Sequence, residues 1–114
     1  MPQSKRGEKP RIMYLENRSD GLGGDARISR VQFSNTGKTI YYDGRSLQPR
    51  EARGHESNYL DIVTLEEFWI ADPRKDGADR LDGEAKPVQI DADVREEYWT
   101  AIRGLPERKG DSTT

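Results

Sequence analysis

The side chains able to do chemistry are few and scattered. His55 is the only histidine, and there is no cysteine. A disulfide framework or thiolate metal site is therefore excluded, and no Cys–His or Ser–His–Asp relay can be built with a positioned base. His55 lies in a polar stretch near Arg53 and Glu56 and reads as a solvated loop residue. Asp72, Asp76, Asp79 and Asp82 share one loop, and hard cations favour carboxylate oxygens. Their spacing lacks the alternating acids of a calcium loop, and Arg74, Lys75 and Arg80 interleave with them. Internal salt bridges and turn caps are the expected use of these acids. A metal-dependent small enzyme on this loop ranks third among the functions considered.

Two glycine segments imitate phosphate loops. Gly21-Leu22-Gly23-Gly24-Asp25 has the composition, but phosphate is cradled where a loop enters a helix, and a strand is expected here. Gly37-Lys38-Thr39 copies the end of a P-loop without its earlier glycine. Both read as turns, and no cofactor is expected.

The largest set is basic and aromatic: Arg27, Arg30, Lys38, Tyr41, Arg45, Arg50 and Arg53, joined by Arg74, Lys75 and Arg80. On a small β-barrel, cations beside exposed tyrosine can hold single-stranded nucleic acid through phosphate contact and base stacking. Arg30, Lys38, Tyr41, Arg45, Arg74, Lys75 and Arg80 are the candidate binding surface. The same residue types also decorate the solvent face of any half-buried sheet. Trp69 and Trp99 are large enough to anchor an interface, but packing of a hairpin against a helix is their expected role.

These residues need a scaffold, and 114 residues allow one small domain. Only 32% of residues are hydrophobic, while the net charge is a modest −2. The chain is expected to have a compact middle and polar ends, with a disordered arm over 1–10, a single domain over 11–103 and a flexible tail over 104–114. Residues 1–60 carry net +4 and residues 61–114 net −6, so neither half has the basic excess of a nucleic-acid binder. No apolar run reaches the ~18 residues of a membrane helix. The expectation is a cytoplasmic protein without membrane contact.

Local patterns set the elements. Arg11–Glu16 reads as a first strand and Ala26–Phe33 as a second. In the second, Ala26 and Ile28 share one parity and Val31 and Phe33 the other, which predicts a bulge near Ser29-Arg30. Thr36-Gly37 and Asp43-Gly44 are hairpin turn signals, so a three-stranded meander from Ala26 to Leu47 follows. Tyr42 shares parity with Ile40 and points to the core; Tyr41 points out. Asn58–Val63 and Glu67–Ala71 form another hairpin around Thr64-Leu65-Glu66. Its apolar residues fall on both faces, which predicts cover on both sides. Pro87–Ile90 is a short last strand. A helix over about 92–103 has Val94, Tyr98 and Ile102 on one stripe with Trp99 beside them. Asp91 or Asp93 is its cap, with Asp93 and Glu96 resembling a capping box, and the helix is expected to cover the 58–71 hairpin. The fold class is mainly β: a small bent antiparallel sheet or partly closed SH3-like barrel built from a meander, with one C-terminal amphipathic helix.

The stretches Arg27–Tyr42, Asn58–Asp61, Glu66–Ile70, Lys75–Leu81 and Asp93–Trp99 together resemble a family of small bacterial single-domain proteins to which no activity is assigned. The resemblance spans roughly 12–108 and brings no catalytic residues with it. Some relatives carry the name of a deoxyxylulose-phosphate synthase. That label does not suit this chain, because a thiamine-diphosphate enzyme needs several hundred residues and a diphosphate–metal site. The family pattern has Thr-Gly where this chain has Thr64-Leu65, and leucine resists positive φ. The resemblance implies a bacterial cytoplasmic single domain. The function expected first is a non-enzymatic protein-interaction module with a protein partner; nucleic-acid binding is the alternative.

Overall fold

The computed structural model describes residues 10–19, 24–50, 57–80 and 87–114. The expected arm over 1–10 falls almost wholly outside them. Seven strands are present among the described residues: β1 Arg11–Asn17, β2 Ala26–Phe33, β3 Ile40–Tyr42, β4 Arg45–Pro49, β5 Tyr59–Asp61, β6 Glu67–Ala71 and β7 Gln89–Ile90. The first six run antiparallel, and β1 pairs with both β6 and β2, which closes them into a barrel. The seventh lies parallel to β2, with Ile28 opposite Ile90. Closure removes the sheet edges that a small β protein would otherwise expose.

The meander forms as its turn residues dictate. Ser34 and Thr39 close the first hairpin around Gly37, whose φ is 78°. Asp43 and Gly44 both have positive φ, 51° and 75°, the type I′ geometry. In the β5–β6 turn Leu65 takes φ 66°, the left-handed conformation that leucine resists.

Two cores lie on opposite faces of β1. Met13 and Leu15 point into the barrel with Val31, Ile40, Leu47, Phe68 and Ile70. Ile12 and Tyr14 point outward and meet Ala26, Ile28, Val88, Ile90, Val94, Tyr98 and Trp99. This double burial explains the parity switch in β2. Its start buries one face beneath the helix and its end buries the other inside the barrel. The pairing with β1 runs unbroken from Arg11 opposite Val31 to Glu16 opposite Ala26. The expected bulge at Ser29-Arg30 is therefore absent.

The helix, α1, is a continuous eleven-residue segment: a 3-10 turn Ala92–Val94, one α turn Arg95–Glu97 and a wider π turn Tyr98–Ile102. It covers β1 and β2, not the 58–71 hairpin, which reaches its cluster only through the partly buried Trp69. The expected capping box does not form, and no side chain caps the helix start. Asp91 instead holds Arg27 and Ser29 of β2, at 2.5 and 2.6 Å.

Residues 104–114, expected as a loose tail, are tied down. Ile90 N–H donates to Ser112 O, Thr114 N–H donates to Val88 O, and the Trp99 indole donates to Asp111 O. The Arg108 guanidinium lies 4.1 Å from the Trp99 ring centroid. An indole buried in an apolar cluster needs an acceptor for its N–H, and the tail supplies it.

Candidate functional site

Most arginines of the expected basic surface already face carboxylates. Arg30 points toward α1 and pairs with Glu97 at 3.0 Å and Asp93 at 3.9 Å. Arg74 is held by Asp76 within its own turn. Arg80 is buried, pairs with Glu16 at 3.7 Å and donates to Gly24 O. Arg45 turns into the end of the barrel. Lys38 sits exposed in the β2–β3 turn and Lys75 in the loop after β6, and neither makes an ion pair among the described residues. Tyr41 is exposed as expected, and Tyr42 packs against the barrel interior.

The acidic loop is likewise spent on itself. Asp76 accepts from Ala78 N–H and the Arg74 guanidinium, and those partners hold its carboxyl well below the usual range. Among the described residues no cluster of histidine, cysteine or carboxylate side chains is placed to hold a metal ion. His55, Arg53 and Asp82 lie outside the described residues.

What sequence reading missed is the built polar structure at one barrel mouth. Arg45 follows the Asp43-Gly44 turn, so its side chain projects from the barrel's inner face beside Tyr42, its pairing partner. One of its nitrogens donates to both Asp61, at 2.7 Å, and Glu66, at 2.6 Å, and its guanidinium lies over the Phe68 ring. Asp61 is buried and also accepts from the backbone N–H groups of Val63 and Thr64. Burial alone would raise the Asp61 carboxyl; those two amides and Arg45 more than offset it, leaving the group below its ordinary range. Glu66, bonded by Arg45, Thr64 and Asn17, is lowered too. The clamp thus fixes both ends of the β5–β6 turn.

That turn presents apolar side chains to solvent. Val63 is 82% exposed, Leu65 66% and Ile62 50%. The expectation that Ile62 and Val63 lie on covered strand faces is corrected here: β5 ends at Asp61, so both belong to the turn, while Leu65 lies in the turn as expected. Ile62 N–H donates to Ser46 O, and Ser46 is the partner of Tyr41. Because cross-strand partners share a face, Tyr41, Ser46 and Ile62 form one outward row. Among the described residues the large exposed hydrophobic side chains are Tyr41, Ile62, Val63 and Leu65; Tyr41 and Ile62 share this face on either side of Ser46, and Val63 and Leu65 follow in the turn.

Beside the clamp the mouth opens as a cleft of about 520 Å³ with a floor of Leu15 and Phe68 and walls that include Asn17, Arg27, Tyr42, Asp43 and Arg45. Behind it, on the outer face of β1, Tyr14 donates to Glu16, and Arg18 reaches the same carboxylate at 2.9 Å. Burial first, and Glu16 second, push the Tyr14 hydroxyl far up. Arg18 also lies 5.3 Å from the Trp69 ring centroid. The alternation of Tyr14 and Glu16 on one face of β1 with Arg18 just past its end was the available signal for this network.

Known family models, curated proteins and solved structures offer no match to this chain. No helix among the described residues is long and apolar enough to cross a membrane.

Proposed function

We propose that the chain is a non-enzymatic protein-interaction module of a bacterial cytoplasm, and that the tip of the β5–β6 hairpin with Tyr41 is its contact surface. The observation that carries this reading is the set of exposed apolar side chains on one turn whose backbone N–H groups from Ile62 to Glu66 are all bonded. Apolar side chains scattered singly are ordinary on a surface, but a contiguous group marks an interaction site. The rigidity of the turn lowers the ordering cost of association. Leu65 adds strain of order 1–2 kcal/mol in the left-handed region, and such strain persists where the surrounding structure fixes it. The Arg45 clamp provides that fixation. The nucleic-acid alternative has less support, since Arg30, Arg45, Arg74 and Arg80 already face carboxylates.

The test is native size-exclusion chromatography of extracts from the source cells, comparing wild type with an Ile62→Ser, Val63→Asp double variant. Wild type is expected to elute in a discrete heavier complex. The variant is expected at the monomer position with an unchanged melting temperature. Coelution of both in the same fraction would overturn the proposal.

A further inference from the structure

The sheet ends at β7, and the edge that β7 turns away from β2 already carries an extended segment. On the β2 side Asp91 N–H, just past β7, donates to Ile28 O. On the other side Ile90 N–H donates to Ser112 O and Val88 O accepts from Thr114 N–H. Gln89 and Thr113 stand opposite each other as an antiparallel pair. We infer that this edge is a strand-addition site for an extended segment of a protein partner, with apolar side chains at two alternate positions, and that the chain's own residues 111–114 occupy it in that partner's place. This site is separate from the hairpin tip and does not rest on it.

Three observations support it. First, β7 is the last strand in the sheet order, and among the described residues its outer edge meets only the 111–114 segment. Such an edge is a template for another chain. Second, the segment is held through main-chain atoms that any extended peptide supplies: the two ladder bonds, and the Asp111 carbonyl that accepts from the Trp99 indole. The side-chain tie from Arg108 to Asp111, at 2.7 Å, joins two exposed groups, and such pairs contribute little. Third, the side chains do not match the face they meet. Cross-strand neighbours share a face, so Ser112 lies beside Ile90 and Thr114 beside Val88, two residues of the outer core. Ser112 stays exposed and Thr114 half-buried. Apolar side chains at those positions add burial that the tail lacks. In strand addition the main-chain bonds give affinity and alternate side chains give specificity; the tail has the first without the second. The entropy of ordering four residues opposes its few bonds, so a better-matched segment can replace it.

The experiment titrates the full isotope-labelled chain with acetyl-Arg-Lys-Gly-Asp-Val-Thr-Val-amide and follows the backbone amides by NMR. This peptide is the chain's own 108–114 with valine at the two positions beside Ile90 and Val88. Saturable shifts at Val88, Gln89 and Ile90 are expected, with the Ser112, Thr113 and Thr114 amides moving to random-coil positions as the tail leaves. The unaltered sequence, acetyl-Arg-Lys-Gly-Asp-Ser-Thr-Thr-amide, is expected to bind several-fold more weakly. N-methylation of the last valine removes the N–H that reaches Val88 O and should abolish binding. In the chain itself Thr114→Pro removes the same donor and leaves both cores intact. It should tighten the valine peptide several-fold, because less of the edge is then occupied. Binding with the tail amides unmoved, equal binding of the N-methylated or the unaltered peptide, or an unchanged affinity in Thr114→Pro would overturn the proposal. The Ile62→Ser, Val63→Asp variant should bind the peptide as wild type does; loss of binding there would assign the peptide to the tip and likewise overturn it. The chromatographic test of the tip does not depend on these results, so the two readings fail separately.

Discussion

At the β5–β6 turn a buried carboxylate, Asp61, meets two amides and a guanidinium. In the loop after β6 another buried carboxylate, Asp79, meets one amide, that of Arg74, and its second oxygen has no hydrogen-bond partner. Close to it the Tyr98 hydroxyl is also buried, with the Arg103 guanidinium beside it but no well-formed hydrogen bond. Burial raises the Asp79 carboxyl, opposed mainly by the Arg74 amide, whereas Asp61 ends below its ordinary range despite burial. The two segments place their apolar groups oppositely as well. The turn exposes aliphatic side chains on a saturated polar frame. The loop docks against α1, where Arg103 donates to Lys75 O and its guanidinium lies against Gly77, whose φ of 77° favours glycine. Satisfied polar groups at the turn free its hydrophobic residues for a partner; at the loop, unsatisfied ones lower the stability of the docking.

The strongest way to break the comparison is Asp61→Ala. It leaves Arg45 with Glu66 alone and removes the acceptor of two turn amides, so a loss of about 2 kcal/mol in denaturant unfolding is expected. A loss near zero would mean the turn is not held by its clamp. Asp79→Asn should act in the other direction. The asparagine oxygen still accepts from the Arg74 amide, and the cost of a buried charge disappears. A gain of about 1 kcal/mol at neutral pH is expected.

Proton linkage sharpens this contrast. A carboxyl raised by folding binds protons more readily in the native state, so its cost is relieved as pH falls through the folded pKa. The advantage of Asp79→Asn over wild type in melting temperature should therefore shrink on acidification. Asp61 and Glu66 are lowered, so their contribution is present at neutral pH and is lost as pH falls through their folded values. A pH-independent gain for Asp79→Asn would contradict the assigned charge.

Leu65→Gly relieves the left-handed leucine and should stabilise the fold by up to about 1 kcal/mol while weakening partner capture. Stability and binding moving in opposite directions is the signature of strain kept at a contact. Asp76→Ala is expected to leave the melting temperature unchanged, because both members of its pair with Arg74 are exposed; only the Ala78 amide should exchange faster.

Sequence carried the fold where its determinants were local. Thr36-Gly37 and Asp43-Gly44 specify their turns by backbone chemistry, and Val94, Tyr98 and Trp99 declare a buried helical face. It misled where one strand serves two cores: β2 shows a parity switch because different ends bury different faces. The docked tail carries no periodic signal, since backbone groups of Val88 and Ile90 and a single indole hold it. The site was least legible. Arg45 looks like one more surface cation until Asp61 and Glu66, 16 and 21 positions away, are brought to it. Ile62, Val63 and Leu65 were visible as apolar residues, but where β5 ends decides whether they are core or surface.

The most direct measurement is site-specific photo-crosslinking in the source cells, with a photoreactive phenylalanine analogue at Val63 and, as control, at Lys38. The account predicts one dominant protein adduct from position 63 and none from position 38. Equal labelling from both positions, or none from position 63, would contradict the claim that the hairpin tip is the contact surface.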